Sequence, residues 1–155
     1  MAEPQIIYVK PEEVDRYWFL VEHKLGKAIE YSDHKYSLAS VYNEIKDCTM
    51  QLWAIKVTYD LLAVCVTQIV NYPDKKVLLI MFVGGDKIDL YKHLIHEIAR
   101  YARAMKCQSI EFYGRHGWKS KMQEFGFEHI HSVFRLKLDK EGANEKDIHK
   151  IGIRV

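Results

Sequence analysis

Glu111, Tyr113 and His116 put a carboxyl, a phenol and an imidazole close together along the chain, at the end of a short apolar segment. Groups of these types move protons in general acid–base catalysis. Glu111 and Tyr113, two apart on a strand, share one face, and a free imidazole titrates near neutrality. The same residues also suit a solvent-facing strand edge and a surface loop. Lys87, Arg115, Lys119 and Lys121 are cations that one end of a cleft could gather around an anion or an acidic partner. Scattered solubilising charges are the alternative. Tyr31, Asp33, His34 and Tyr36 crowd a polar stretch where chemistry could also sit. Metal chemistry has little support: His93, His96 and Glu97, and His129 with His131, have no CxxC or HExxH beside them and read as solvated surfaces. Cys48, Cys65 and Cys107 are odd in number and unpaired in spacing, so they read as reduced thiols of a cytoplasmic protein.

The elements that must position these groups follow from patterning. Gln5–Val9 is a short apolar strand. Pro11 with Glu12 and Glu13 starts a helix whose stripe is Val14, Trp18, Val21 and Leu25, and which Gly26 can end. A second helix runs from about Leu38 to Ile45 with Ser37 as its cap. Met50–Val57, Leu61–Val70 and Val77–Val83 are three successive strands, separated by turn-forming residues. Val77–Val83 is apolar throughout, as a central strand covered on both faces should be. After Gly84-Gly85 a long helix reaches about Met105, with Ile88, Tyr91, Leu94, Ile95, Ile98, Ala102 and Met105 on its apolar side. Ser109–Tyr113 is a strand, Lys119–Phe125 a short helix and Glu128–Leu138 a closing strand. Aromatics such as Trp18, Phe19, Phe82, Phe112 and Phe134 fall at core-facing spacing. The fold class is α/β: one mixed, mostly antiparallel sheet with helices on both faces, in the order β-α-α-β-β-β-α-β-α-β. The domain spans residues 1–138, and residues 139–155 form a polar C-terminal tail in which Ile151 and Ile153 could dock.

Composition narrows the function. The 155 residues suit a single domain, and 48% hydrophobic with 28% charged residues is a globular balance. Lys plus Arg number 23 against 21 acids, a net charge of +2 that argues against a dedicated nucleic-acid binder. The longest apolar run, Val77–Val83, is far short of a membrane span, and the first residues lack a signal-peptide pattern. Ten tyrosines, several in polar surroundings, suit contact with a protein partner.

The element order, with the segment Arg115-His116-Gly117-Trp118-Lys119-Ser120-Lys121-Met122-Gln123-Glu124-Phe125-Gly126-Phe127, resembles the GCN5-related N-acetyltransferase (GNAT) superfamily. The chain is also similar to small GNAT-like proteins of tailed phages, which would place it in the host cytoplasm or the virion. The resemblance implies acetyl-CoA as substrate, with its pyrophosphate on the backbone amides around Gly84, Gly85 and Lys87. It also implies a carbonyl-polarising amide within Met81–Val83, hence a cofactor-binding set of Phe82, Val83, Gly84, Gly85, Lys87 and Arg115. The catalytic base would come from Glu111, Tyr113 or His116. The chain departs from the family pattern at three points. The glycine spacing differs and Asp86 and Asp89 flank the pair; Met122 stands where a proton-donating Tyr is frequent; Arg115 stands where Asn is frequent. The expected function is direct transfer of an acetyl group to an unidentified amine. The alternative is a GNAT-fold protein without turnover that acts by protein contact, as a virion component or a host-directed inhibitor.

Overall fold

A computed structural model of the chain describes residues 3–86, 88–138, 150 and 152. Lys87 and all but two residues of the expected tail lie outside the described residues. Five strands form one sheet in the order β1-β2-β3-β4-β5: β1 Gln5–Val9, β2 Gln51–Val57, β3 Asp60–Asn71, β4 Lys76–Gly85 and β5 Ser109–Phe112. The first four are antiparallel neighbours. β5 joins parallel to β4 after a crossover through helix α3, Ile88–Ala104, as parallel neighbours require. Helices α1 (Val14–Glu30) and α2 (Leu38–Lys46) lie between β1 and β2 in the chain, and α4 (Lys119–Glu124) follows β5.

Strand alternation divides the core into two layers. Leu52, Ala54, Val64 and Val66 face α1 and α2, where Val21, Leu25 and Val41 meet them. Trp53, Ile55, Ala63 and Cys65 face α3, against Tyr91, Leu94 and Ile98. Two buried polar groups on the sheet satisfy each other: the Trp53 indole donates to Thr67 Oγ1 at 3.0 Å, and Thr67 donates to Gln51 Oε1 at 2.9 Å.

Ser37 caps α2 as expected, with reciprocal bonds to Ser40 that close a capping box. Gly26 does not end α1. The stripe continues to buried Ile29, whose burial outweighs the modest cost of a helical glycine, and the helix runs on to Glu30. Met105 is exposed at the end of its helix rather than packed. Phe19 and Phe134 are exposed too, so neither is a core aromatic. The largest departure is the closing strand. Residues Glu128–Leu138 form no strand and are exposed throughout: a strand needs a neighbouring backbone to complete its hydrogen bonds, and none of the described residues pairs with this segment.

Candidate active site

The site is built on an irregularity in β4. From Val77 to Ile80 this strand is paired on both sides, with β3 and with β5. The β5 ladder ends at Ile80 and Phe112, with a last bond from Tyr113 N–H to the Ile80 carbonyl at 3.4 Å. At the same point the β3 register slips. Thr67 lies opposite Ile80 but Val66 opposite Phe82, leaving Met81 as an extra residue. Such a bulge ends pairing and re-aims side chains. Ile80 therefore packs with the α3 layer and Phe82, two residues on, with the α1 layer. Beyond Met81 the β5-facing edge of β4 has no ladder partner among the described residues. This unpaired stretch includes residues expected to polarise a carbonyl.

Gly84 and Gly85 are tied to protein backbone. A Cβ on Gly84 would collide with the Lys24 carbonyl of α1, and one on Gly85, whose φ is +125°, with the Leu62 carbonyl of β3. The pair thus lets α1 and β3 close on β4. Asp86 is exposed and Asp89 lies in the first turn of α3. Carboxylates there complement the helix dipole and repel a diphosphate. Tyr91 on α3 donates its hydroxyl to the Gly85 carbonyl at 3.1 Å. Burial, helped by Cys65 and Asp86, pushes its phenol up to about 12, so it stays protonated.

Aromatic rings fill both sides of the gap. On the α3 side Trp118 stands between Phe112, at 5.6 Å, and Tyr91, at 6.1 Å. With Val83, Met122 and Phe125 they leave about 20 Å³, on the order of one water. On the α1 side Phe82 meets the edge of Tyr36 at 5.4 Å, and the Arg115 guanidinium lies 3.7 Å from the centre of the Tyr31 ring. The loop between α1 and α2 thus reaches both Phe82 and Arg115. Its Asp33 and His34 hold φ of 60° and 61°, left-handed values uncommon outside glycine.

The proton-moving candidates divide. Glu111 is half-buried and Tyr113 exposed, on one face of the β5 end. Partial burial, then the Tyr72 hydroxyl and the charge of Glu111, hold the Tyr113 phenol above its ordinary range. His116 lies in the exposed single turn His116–Trp118. Met122 is buried and supplies packing. Burial pushes the Cys65 thiol far up, which removes it as a nucleophile. Of the cations, Arg115 is engaged with Tyr31, whereas Lys121 pairs with Glu124 at 3.2 Å along its own helix. These two do not converge. Among the described residues no three His, Cys, Asp or Glu side chains group as metal ligands, and no helix is long and apolar enough to cross a membrane. Sequence reasoning missed the Met81 bulge and the role of Trp118. The Gly117-Trp118 pair was the only signal for the latter.

No protein-family model matches the chain, and no curated protein matches it in sequence. Solved structures do. The glucosamine-6-phosphate N-acetyltransferase of Arabidopsis thaliana superposes with a TM-score of 0.63 at 12% identity, over 88% of this chain and 99% of its own. The aminoglycoside 6'-N-acetyltransferase of Acinetobacter baumannii gives 0.63, also at 12% identity and with the same coverage. A predicted acetyltransferase of Clostridium acetobutylicum, solved with acetyl-CoA, gives 0.64 at 7% identity, over 87% of this chain and 96% of that one. Identities this low carry the architecture and nothing finer. The open mixed five-stranded sheet with its helices matches the GNAT fold of these neighbours.

Proposed function

We propose that the chain is an acyltransferase that moves the acetyl group of acetyl-CoA to an amine. One observation carries this: β4 and β5 part at the Met81 bulge, so that past Ile80 and Phe112 the facing edge of β4 has no ladder partner among the described residues. A strand edge suits the pantetheine arm, whose amides bond as a neighbouring strand does. A β4 amide near Phe82 and Val83 would hold the carbonyl oxygen as negative charge develops on it. Glu111 would accept the proton of the attacking amine. Tyr113, kept protonated by its surroundings, suits the opposite task of returning a proton to the departing thiolate. The nitrogen forms the new amide bond as the carbon–sulfur bond breaks, and no covalent enzyme intermediate is needed. Phe82 and Val83 would line the thioester end, with Gly84 and Gly85 towards the diphosphate and Arg115 on the α1 side. The carboxylates of Asp86 and Asp89 make the diphosphate end weak. The structural neighbours described as acetyltransferases support the reading, and the one solved with acetyl-CoA supports the choice of donor.

The test is twofold. Acetyl-CoA at millimolar concentration should raise the melting temperature, since a ligand bound only by the folded state stabilises it. A panel of primary amines should then release free CoA thiol, detected by a thiol reagent, and Glu111→Gln should suppress release while keeping the thermal shift. If neither shift nor release occurs, the transferase reading fails and the contact-only reading remains.

A further inference from the structure

Helices α1 and α2 leave an open groove between them on the side away from the sheet. Its volume is about 650 Å³, room for several side chains. Trp18 and Phe19 of α1 and Leu38 and Tyr42 of α2 line it, with the Trp18 and Tyr42 rings edge to face at 5.0 Å. Phe19 is 80% exposed, and rings gathered in one open patch mark an interaction surface. Two carboxylates stand at the rim. Asp15 accepts a hydrogen bond from the Tyr42 hydroxyl and pairs with Lys46 at 3.4 Å. Glu22 is half-buried and has no ion pair among the described residues. Its helical neighbours three and four positions away are Trp18, Phe19, Leu25 and Gly26, none of them a cation. The complement of such a groove is a segment of aliphatic side chains with cations and no acids.

Residues 148–155 have that chemistry. They carry Ile148, Ile151, Ile153 and Val155 with Lys150 and Arg154, and no acid. The preceding stretch, 139–147, is polar and holds Asp139, Glu141, Glu145 and Asp147, so it suits a spacer and not the groove. Lys150 and Gly152, the described residues of 148–155, are exposed, as the outward side of a docked segment is. The spacer is long enough. Arg135 pairs with Asp33 in the loop that joins α1 to α2, which brings the chain to one end of the groove. Residues 139–147 extend to about 30 Å, more than α1, whose 17 residues make a helix of about 26 Å.

We propose that residues 148–155 dock in the α1–α2 groove of their own chain, with the aliphatic side chains on Trp18 and Phe19 and the cations at Glu22. A tether this short holds the segment at an effective concentration on the order of millimolar, which favours it over the same segment of a second copy. Docked, it braces the helix pair whose loop reaches Phe82 and Arg115.

In nuclear magnetic resonance spectra of the full chain, the methyl groups of Ile151 and Ile153 should show cross-relaxation with the ring protons of Trp18 and Phe19. In an equal mixture of isotope-labelled and unlabelled chains, these contacts should stay within one chain. Phe19→Asp changes an exposed side chain. It should abolish the contacts while the far-ultraviolet spectrum stays that of the wild type. Absence of the contacts in the wild type overturns the proposal. Contacts found between labelled and unlabelled chains overturn it too, since a second copy then fills the groove. Contacts that survive Phe19→Asp place the segment elsewhere and overturn it as well.

Discussion

The two halves of β4 belong to one strand and obey different rules. From Val77 to Ile80 the backbone is paired on both sides and side chains alternate regularly between layers. From Phe82 to Gly85 it is paired on one side, its alternation is reversed, and its glycines are pressed against α1 and β3. One additional residue, Met81, separates the regimes. The first half holds the molecule together and the second half presents backbone. A single strand can do both because a bulge changes face and pairing together.

Substitutions in the two halves should therefore diverge. Ile80→Ala, in the fully paired half and almost wholly buried, should cost about 2–5 kcal/mol in chemical denaturation, whether or not acetyl-CoA is present. Trp118→Ala, beside the opened half, should cost about 1–3 kcal/mol because the ring is only partly buried. It should also strengthen acetyl-CoA binding by calorimetry, since it clears the α3 side of the gap. Weaker binding would mean that the ring forms a wall of the ligand site.

Tyr91 supplies a pH-dependent contrast. Its folded pKa, about 12, lies above the ordinary 10.0, so folding favours the protonated phenol. The unfolded chain loses its proton first, and stability should fall as pH rises from about 10 towards about 12. Tyr91→Phe should flatten that fall in unfolding curves, with little change in the pH dependence near neutrality. The smallest effect belongs to Asp86. Asp86→Asn should tighten acetyl-CoA binding by about 0.3–1 kcal/mol at low salt, the scale of one charge near a helix start, and added salt should erase the gain.

Much of the regular half was legible in the sequence. The α1 stripe, the Ser37 cap and the apolar run Val77–Val83 each follow from local preferences that tertiary packing reinforces. The bulge was hidden by that same run: with every residue apolar, no alternation exists for an extra residue to disturb. Glu111 and Tyr113 could be placed on one face by counting alone. The stacking of Arg115 on Tyr31 could not, because it depends on where a loop about eighty residues earlier comes to rest. The alternation at Glu128–Leu138 suggests a strand that the structure does not form, because a period of two supplies no backbone partner. Gly84 and Gly85 were legible as sites of close approach, though not as approach by the Lys24 and Leu62 carbonyls.

Those two glycine contacts also bear on mechanics. With α1 keyed into β4 at Gly84 and β3 keyed in at Gly85, helix and hairpin form one stiff jaw. Any widening of the gap would then fall to the lighter jaw of β5 and α4, joined to β4 by the short ladder between Val77 and Ile80. Stiffening that pivot would raise the cost of the widened form and so weaken any ligand that needs it.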